Sequence, residues 1–268
     1  LKARAAQAPT SATLALAASG AFHPMPPPAL TLLAFGLLQG CRHAAAAADR
    51  VRVELYAEAG CPFCRQTIAG PVNKTLSDPG VAAIVDFALF PFGNAYYVTK
   101  ECGGAGSYDV RARECFFGKC GSDAAQPAPE DCFSREIVCQ HGAVECRANR
   151  FLACAKELAG DGGARAYMPF VHCVEAGYAR FSESLVGSCA DAAGVDRDAL
   201  GSCAAGPKGD GAIRAQAEAT PSHAGVPWLL VAGKSLDDPS GLLQAVCKAY
   251  KGPEPAGCAG AGLAGGPP

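Results

Sequence analysis

The sequence predicts an α/β domain carrying a large helical, disulfide-rich insertion, and three observations support that expectation. A strand-like stretch, Val51-Arg52-Val53-Glu54-Leu55-Tyr56, runs through a turn into Cys61-Pro62-Phe63-Cys64 and a helix, and a second apolar stretch follows at 81–90. Between residues 102 and 154 the chain fills with Cys among Gly, Asp and Pro. A last strand and helix are written into 225–250. The whole chain has 268 residues, half of them hydrophobic, which is ample for a core without cross-links. Its 15 Cys therefore ask for another explanation, and an oxidising compartment is the first.

Residues 1–48 contain no Asp or Glu and are dominated by Ala, Pro and Leu. The apolar run Ala29 to Leu38 has the length of a signal-peptide core, and Ala44 to Ala48 suit cleavage. The run is too short to span a bilayer. Met25 stands just before it and is the expected start of translation, with 1–24 upstream. A transit peptide, or a lipobox-like Leu38-Gln39-Gly40-Cys41, is the alternative. Removing 1–48 takes Cys41 away and leaves 14 Cys, with 20 basic against 25 acidic side chains. That balance argues against nucleic acid or anionic lipid as a partner.

The expected domain covers 49–251. Val51 to Tyr56 alternates as a half-buried strand does, and Ala59-Gly60 turns the chain into the Cys pair. Arg65 to Ile68 continues a helix that Pro71 is expected to kink or end. Val81 to Phe90 is the second strand candidate, almost continuously apolar as a strand covered on both faces should be. An insertion over about 101–220 is expected to be helical around Cys146–Leu158, Tyr167–Cys189 and Arg197–Cys203, held by cross-links. Gly225 to Lys234 then gives a loop, a proline and a buried strand, and Ser240 to Tyr250 a final helix with Pro239 near its start. The Gly-, Ala- and Pro-rich stretch 252–268, with Cys258, is expected to be disordered.

A Cys-x-x-Cys between a strand and a helix has a redox mechanism. The helix N-terminus offers free N–H groups and partial positive charge, so a thiolate at Cys61 is stabilised. Cys64, one turn on, is placed to resolve a mixed disulfide. The competing readings are half a zinc site and a structural disulfide. A zinc site wants a second Cys-x-x-Cys or a His pair, and the five His (23, 43, 141, 172 and 223) form none, so no metal is expected.

The stretch Cys139-Gln140-His141-Gly142-Ala143-Val144-Glu145-Cys146-Arg147-Ala148-Asn149, ending at Cys154, matches C-Q-H-G-x-x-E-C-x-x-N-x-x-x-x-C at every fixed position. It resembles the signature of the gamma-interferon-inducible lysosomal thiol reductase (GILT) family, and the resemblance extends to the upstream Cys pair and to a downstream proline. It implies a thioredoxin-like fold and reduction of protein disulfides in an acidic compartment. In such folds a cis proline before a late strand presents backbone to the substrate, and Val226-Pro227 occupies that place. Taken residue by residue, the signature looks more structural than catalytic. Cys139, Cys146 and Cys154, seven and eight residues apart, suit one helix face stapled to neighbouring loops. Gln140, Glu145 and Asn149 suit buried backbone groups. His141 is either a hydrogen-bonded structural residue or a proton shuttle.

Asn73-Lys74-Thr75 is an N-glycosylation sequon that fits a secreted or lysosomal protein. No bound cofactor is expected; a small thiol is the natural electron donor, and disulfide-bonded proteins are the partners. Two other functions use the same residues differently. A secretory oxidase or isomerase would run the dithiol the other way, a direction set by its reduction potential. A non-enzymatic, disulfide-rich binding module would leave the Cys61–Cys64 pair inert.

Overall fold

A computed structural model describes residues 49–259; the targeting segment expected at 1–48, with Cys41, lies outside the described residues, as does the chain beyond Ala259. At its centre is β1 (Val51–Ala57), whose alternate side chains Val53 and Leu55 are buried. It pairs in parallel with β2 (Val85–Pro91), Val53 beside Phe87 and Leu55 beside Leu89. Its other edge pairs antiparallel with β5 (Trp228–Val231), Tyr56 opposite Trp228. A two-residue turn, Ala232-Gly233, with φ of 49° and 75°, leads to β6 (Lys234–Ser235) and completes the order β2-β1-β5-β6. This is the thioredoxin-like arrangement that the family resemblance implies.

Between β1 and β2 the chain crosses over through α1 (Pro62–Thr67), α2 (Asn73–Ser77) and α3 (Pro79–Ala83). Two expectations change here. Pro71 does not end the helix: a π-helical segment, Ile68–Val72, joins α1 to α2, and such a widened turn tolerates the N–H that proline lacks. Residues 81–83 are helix and not strand, because the Asp78 carboxylate accepts from Val81 N and Pro79 starts the turn. The strand proper begins at Val85.

The insertion holds a small antiparallel pair, β3 (Tyr96–Tyr97) with β4 (Ile137–Val138), and the helices α4 (Val110–Cys120), α5 (Ala143–Ala159), α6 (Ala164–Gly177), α7 (Glu183–Ala193), α8 (Arg197–Ala205) and α9 (Pro207–Glu218). Helical spacing at Tyr167–Cys189 conceals a break, since the chain leaves α6 through Tyr178–Arg180 and Ser182 caps α7. Asp109 and Asp196 cap α4 and α8 in the same way. α5 packs on α6, α8, α9 and β2, burying Ala148, Leu152, Ala153 and Ala155. Five bridges staple the insertion: Cys102–Cys115, Cys120–Cys132, Cys139–Cys146, Cys154–Cys203 and Cys173–Cys189. Each such link typically adds about 2–4 kcal/mol, chiefly by restricting the unfolded chain.

A sixth bridge, Cys247–Cys258, corrects the expectation of a disordered tail from residue 252. It joins α10 (Leu242–Ala249) to a short turn at Ala256–Cys258, and Cys258 is buried. Gly257 lies so close to Asp78 that a Cβ there would stand 2.6 Å from its carboxylate. The chain is thus anchored on the crossover as far as Ala259. Among the described residues no helix is long and apolar enough to cross a membrane.

Candidate active site

β1 delivers the chain to Glu58, Ala59, Gly60 and Cys61. Gly60 has φ +80°, and a Cβ there would meet the Tyr178 ring at 2.0 Å, so glycine is required. Two side chains of the insertion secure this turn. Asn149 Oδ1 on α5 accepts from Ala59 N at 2.7 Å, and Glu175 Oε2 on α6 accepts from Gly60 N at 3.1 Å. Cys61 then takes the N-cap position of α1 and Pro62 its first turn.

Cys61 and Cys64 are the only cysteines among the described residues outside a disulfide. Cys64 is fully buried, Cys61 is 6% exposed, and Phe63 between them projects into solvent. The two thiols differ sharply. Cys61 is drawn down to about 6, first by a hydrogen bond from the Cys64 thiol, against the effect of burial, and further by the N–H groups of Cys64 and Phe63 and by His141. Cys64 is pushed far up by donating that hydrogen bond and by burial. The pair thus sets a thiol favoured as thiolate beside one held protonated.

The signature folds back over the pair. The Cys139–Cys146 bridge brackets it, Gln140 Oε1 accepts from Asn94 Nδ2 at 2.6 Å, and His141 Nδ1 lies 2.7 Å from Glu145 Oε2. Glu145 also accepts from His141 N at 2.7 Å. This corrects the single-face expectation: Cys139 precedes α5 and bridges Cys146 itself, while Cys154 joins α5 to α8. Gly142, with φ +86°, makes the turn into α5.

Glu58 and Glu175 were not foreseen. Glu58 is 1% exposed; its Oε2 accepts from Asn94 N at 2.8 Å and its Oε1 lies 3.5 Å from His141 Nδ1. Burial and the facing Glu145 raise its proton affinity, and burial raises that of Glu145. Glu175 is pushed up to about 7, again chiefly by burial. The signal for Glu175 was present: it follows Val171 by one helical turn and so lies on the apolar stripe of α6.

Donor atoms of Glu58, His141 and Glu145 all lie within 4.8 Å of one another, a spacing that could hold a cation. However, His141 Nδ1 and Glu145 Oε2 are already engaged with each other at 2.7 Å. Two ligands of a tetrahedral zinc stand roughly 3.3 Å apart, so the contact is that of a hydrogen bond and not of a straddled metal.

Pro227 immediately precedes β5, and extending the β1–β5 register past Tyr56–Trp228 puts it beside Ala57, at the sheet end from which Cys61 departs. The Val226–Pro227 peptide is cis, and both residues are half-buried. Asn73 is exposed at the start of α2, away from this cluster, with the Thr75 hydroxyl of its sequon buried.

A reduced Cys-x-x-Cys at a helix N-terminus, beside the central strand of this sheet, defines a thioredoxin-like thiol–disulfide oxidoreductase. The family model for gamma interferon inducible lysosomal thiol reductase matches residues 52–122 and 114–193. The chain belongs to that family, whose reaction is the reduction of disulfide bonds. Among its relatives, the gamma-interferon-inducible lysosomal thiol reductase of Mus musculus is 30% identical over 210 residues, covering 76% of this chain and 69% of that protein. The gamma-interferon-responsive lysosomal thiol protein of Arabidopsis thaliana is 29% identical, covering 76% and 72%, and the reductase of Carassius auratus is 28% identical, covering 81% and 74%.

Proposed function

We propose that Cys61 and Cys64 are the pair with which this reductase opens protein disulfides, and that it works in an acidic, lysosome-like compartment of the secretory route. The observation that carries the reading is the depressed thiol of Cys61 beside the elevated thiol of Cys64. At about pH 5 a thiol of pKa about 6 is ~10% ionised, against ~0.03% for a free cysteine. The Cys61 thiolate attacks a substrate sulfur, breaking the S–S bond and releasing one substrate thiolate. Cys64 then attacks Cys61, releasing the second substrate sulfur and leaving a Cys61–Cys64 disulfide. Two electrons pass to the substrate, and a small thiol restores the pair.

The exposed Phe63 and the backbone of Val226-Pro227 would receive the substrate chain. Six framework disulfides and the lysosomal names of the relatives support the compartment. The test is reduction of an insulin-type substrate across pH, with differential alkylation of the cysteines. Cys61→Ser should abolish turnover and Cys64→Ser should accumulate mixed disulfide. Turnover retained in Cys61→Ser would refute the assignment. A strongly oxidising Cys61–Cys64 potential would turn the direction toward disulfide formation.

A further inference from the structure

Residues 219–227 lead from α9 into β5 with no regular structure, yet they are held from several sides. The buried Thr220 hydroxyl donates to Gln216 O at 2.7 Å, and the Thr220 carbonyl accepts from Ser122 N at 3.2 Å. Ser222 N donates to Asp123 Oδ1 at 2.7 Å. From α4, Arg113 Nη2 donates to His223 O at 2.7 Å. Arg113 is 5% exposed, and among the described residues no carboxylate pairs with it and its Nε has no hydrogen-bond partner. A buried cation without a counter-charge costs stability. The groups it engages are the face of Phe117, 5.2 Å from the ring centroid, and the His223 carbonyl.

The His223 ring carries this hold to the sheet. It meets Phe117 at 4.8 Å in a T-shaped contact and stacks on Trp228 at 5.9 Å, with the planes 13° apart. Trp228 stacks in turn on Tyr56 of β1, and Tyr56 on Phe90 of β2. His223 Nδ1 lies 2.8 Å from Pro221 O, an atom that can only accept, so the neutral ring carries its proton on Nδ1. Burial draws the ring down to about 4 against the pull of the Pro221 carbonyl, and the Arg113 charge adds to that effect. The brace therefore keeps one protonation state at about pH 5.

We propose that Arg113 and His223 are positioning residues that hold the Val226-Pro227 backbone where it receives the substrate chain. This rests on the receiving role given above to that backbone. The hold comes from the insertion, whose α4 is itself tied down by Cys102–Cys115 and Cys120–Cys132. A polypeptide that docks on a loop already in place loses less freedom on binding than one that must order the loop first. Loosening the brace therefore weakens capture of a protein substrate and leaves sulfur exchange at Cys61 as it was.

The test compares the reduced full chain with its variants in three assays. These are turnover of an insulin-type substrate, alkylation of Cys61 by iodoacetamide, and acrylamide quenching of Trp228, the one Trp of the chain. Arg113→Met keeps apolar bulk against Phe117 and removes the donor. It should raise KM about tenfold, the lower range for a hydrogen bond from a charged group, with kcat changed by less than about twofold. Trp228 should become more open to quenching, while Cys61 alkylation stays at the wild-type rate. Arg113→Lys keeps a charged donor and should recover part of the KM. His223→Phe keeps the stack on Trp228, loses the link to Pro221 and should raise KM less. A wild-type KM in Arg113→Met would overturn the proposal, as would an equal fall in kcat and in Cys61 alkylation, the mark of general structural damage. Should that variant not fold, a wild-type KM in His223→Phe overturns it instead. A wild-type chain that leaves insulin intact would strike the reading of Cys61 and Cys64; the brace is then read from quenching alone, where an unmoved Trp228 overturns it.

Discussion

Glu175→Gln should make the protein less dependent on acid for its stability. Glu175 is 1% exposed, its carboxyl accepts one hydrogen bond from Gly60 N, and its Oε1 has no partner among the described residues. Burial, its main perturbation, lifts it to about 7, whereas an unfolded glutamate titrates near ~4.3. With the folded pKa the higher, the folded chain binds the proton more tightly. The contribution is therefore fully present below the unfolded pKa and is lost as pH rises through about 7. Integrated between about pH 5 and pH 7.5, the loss is about 2.5 kcal/mol. Glutamine cannot ionise and still offers an oxygen to Gly60 N. Urea denaturation at the two pH values should show the wild type losing stability and the variant losing about 2.5 kcal/mol less. An identical pH dependence in wild type and variant would refute the reasoning, as would a wild type that is more stable at the higher pH.

Three further predictions follow from the same turn. Cys64→Ala removes the hydrogen bond that most lowers Cys61, so alkylation of Cys61 at pH 5 should slow tenfold for each unit its pKa climbs; an unmoved titration curve would remove Cys64 as the cause. Asn149→Ala leaves the buried Ala59 N–H without an acceptor and should cost about 1–3 kcal/mol in chemical denaturation. Gly60→Ala must bear about 1–2 kcal/mol of left-handed backbone and displace the Tyr178 ring, so its melting temperature should fall and Cys61 reactivity change with it.

Much of this could be read from residue types and spacing because the chemistry at Cys61 is local. A strand period of two, a turn glycine, two cysteines three apart and a helix follow one another within Val51–Thr67, and no distant residue is needed to interpret them. The cis proline before β5 was legible only through the family resemblance, since a Val-Pro pair taken alone says little. Glu58 was hidden, and the place of Glu175 on an apolar stripe named no partner for it, because their meaning depends on contacts across 36 and 115 residues of chain, to Asn94 and Gly60. The bridges were hidden likewise: the seven-residue step from Cys139 to Cys146 suggests two helical turns, whereas Cys139–Gly142 form a turn before α5 begins at Ala143. Cys258 was misjudged from composition, because a Gly- and Pro-rich segment orders once a single cross-link fixes its end.

The two hydrogen bonds from Ala59 and Gly60 have a consequence for how this enzyme can be shortened. Both acceptors, Asn149 and Glu175, belong to the insertion and not to the four-stranded sheet. Excising residues 101–220 to leave a minimal thioredoxin-like core would strand two adjacent backbone donors immediately before Cys61. It would also strip the cover from Glu58. The insertion is in effect the mould in which the loop leading to Cys61 is cast, so sheet and insertion are expected to be inherited, swapped or lost together.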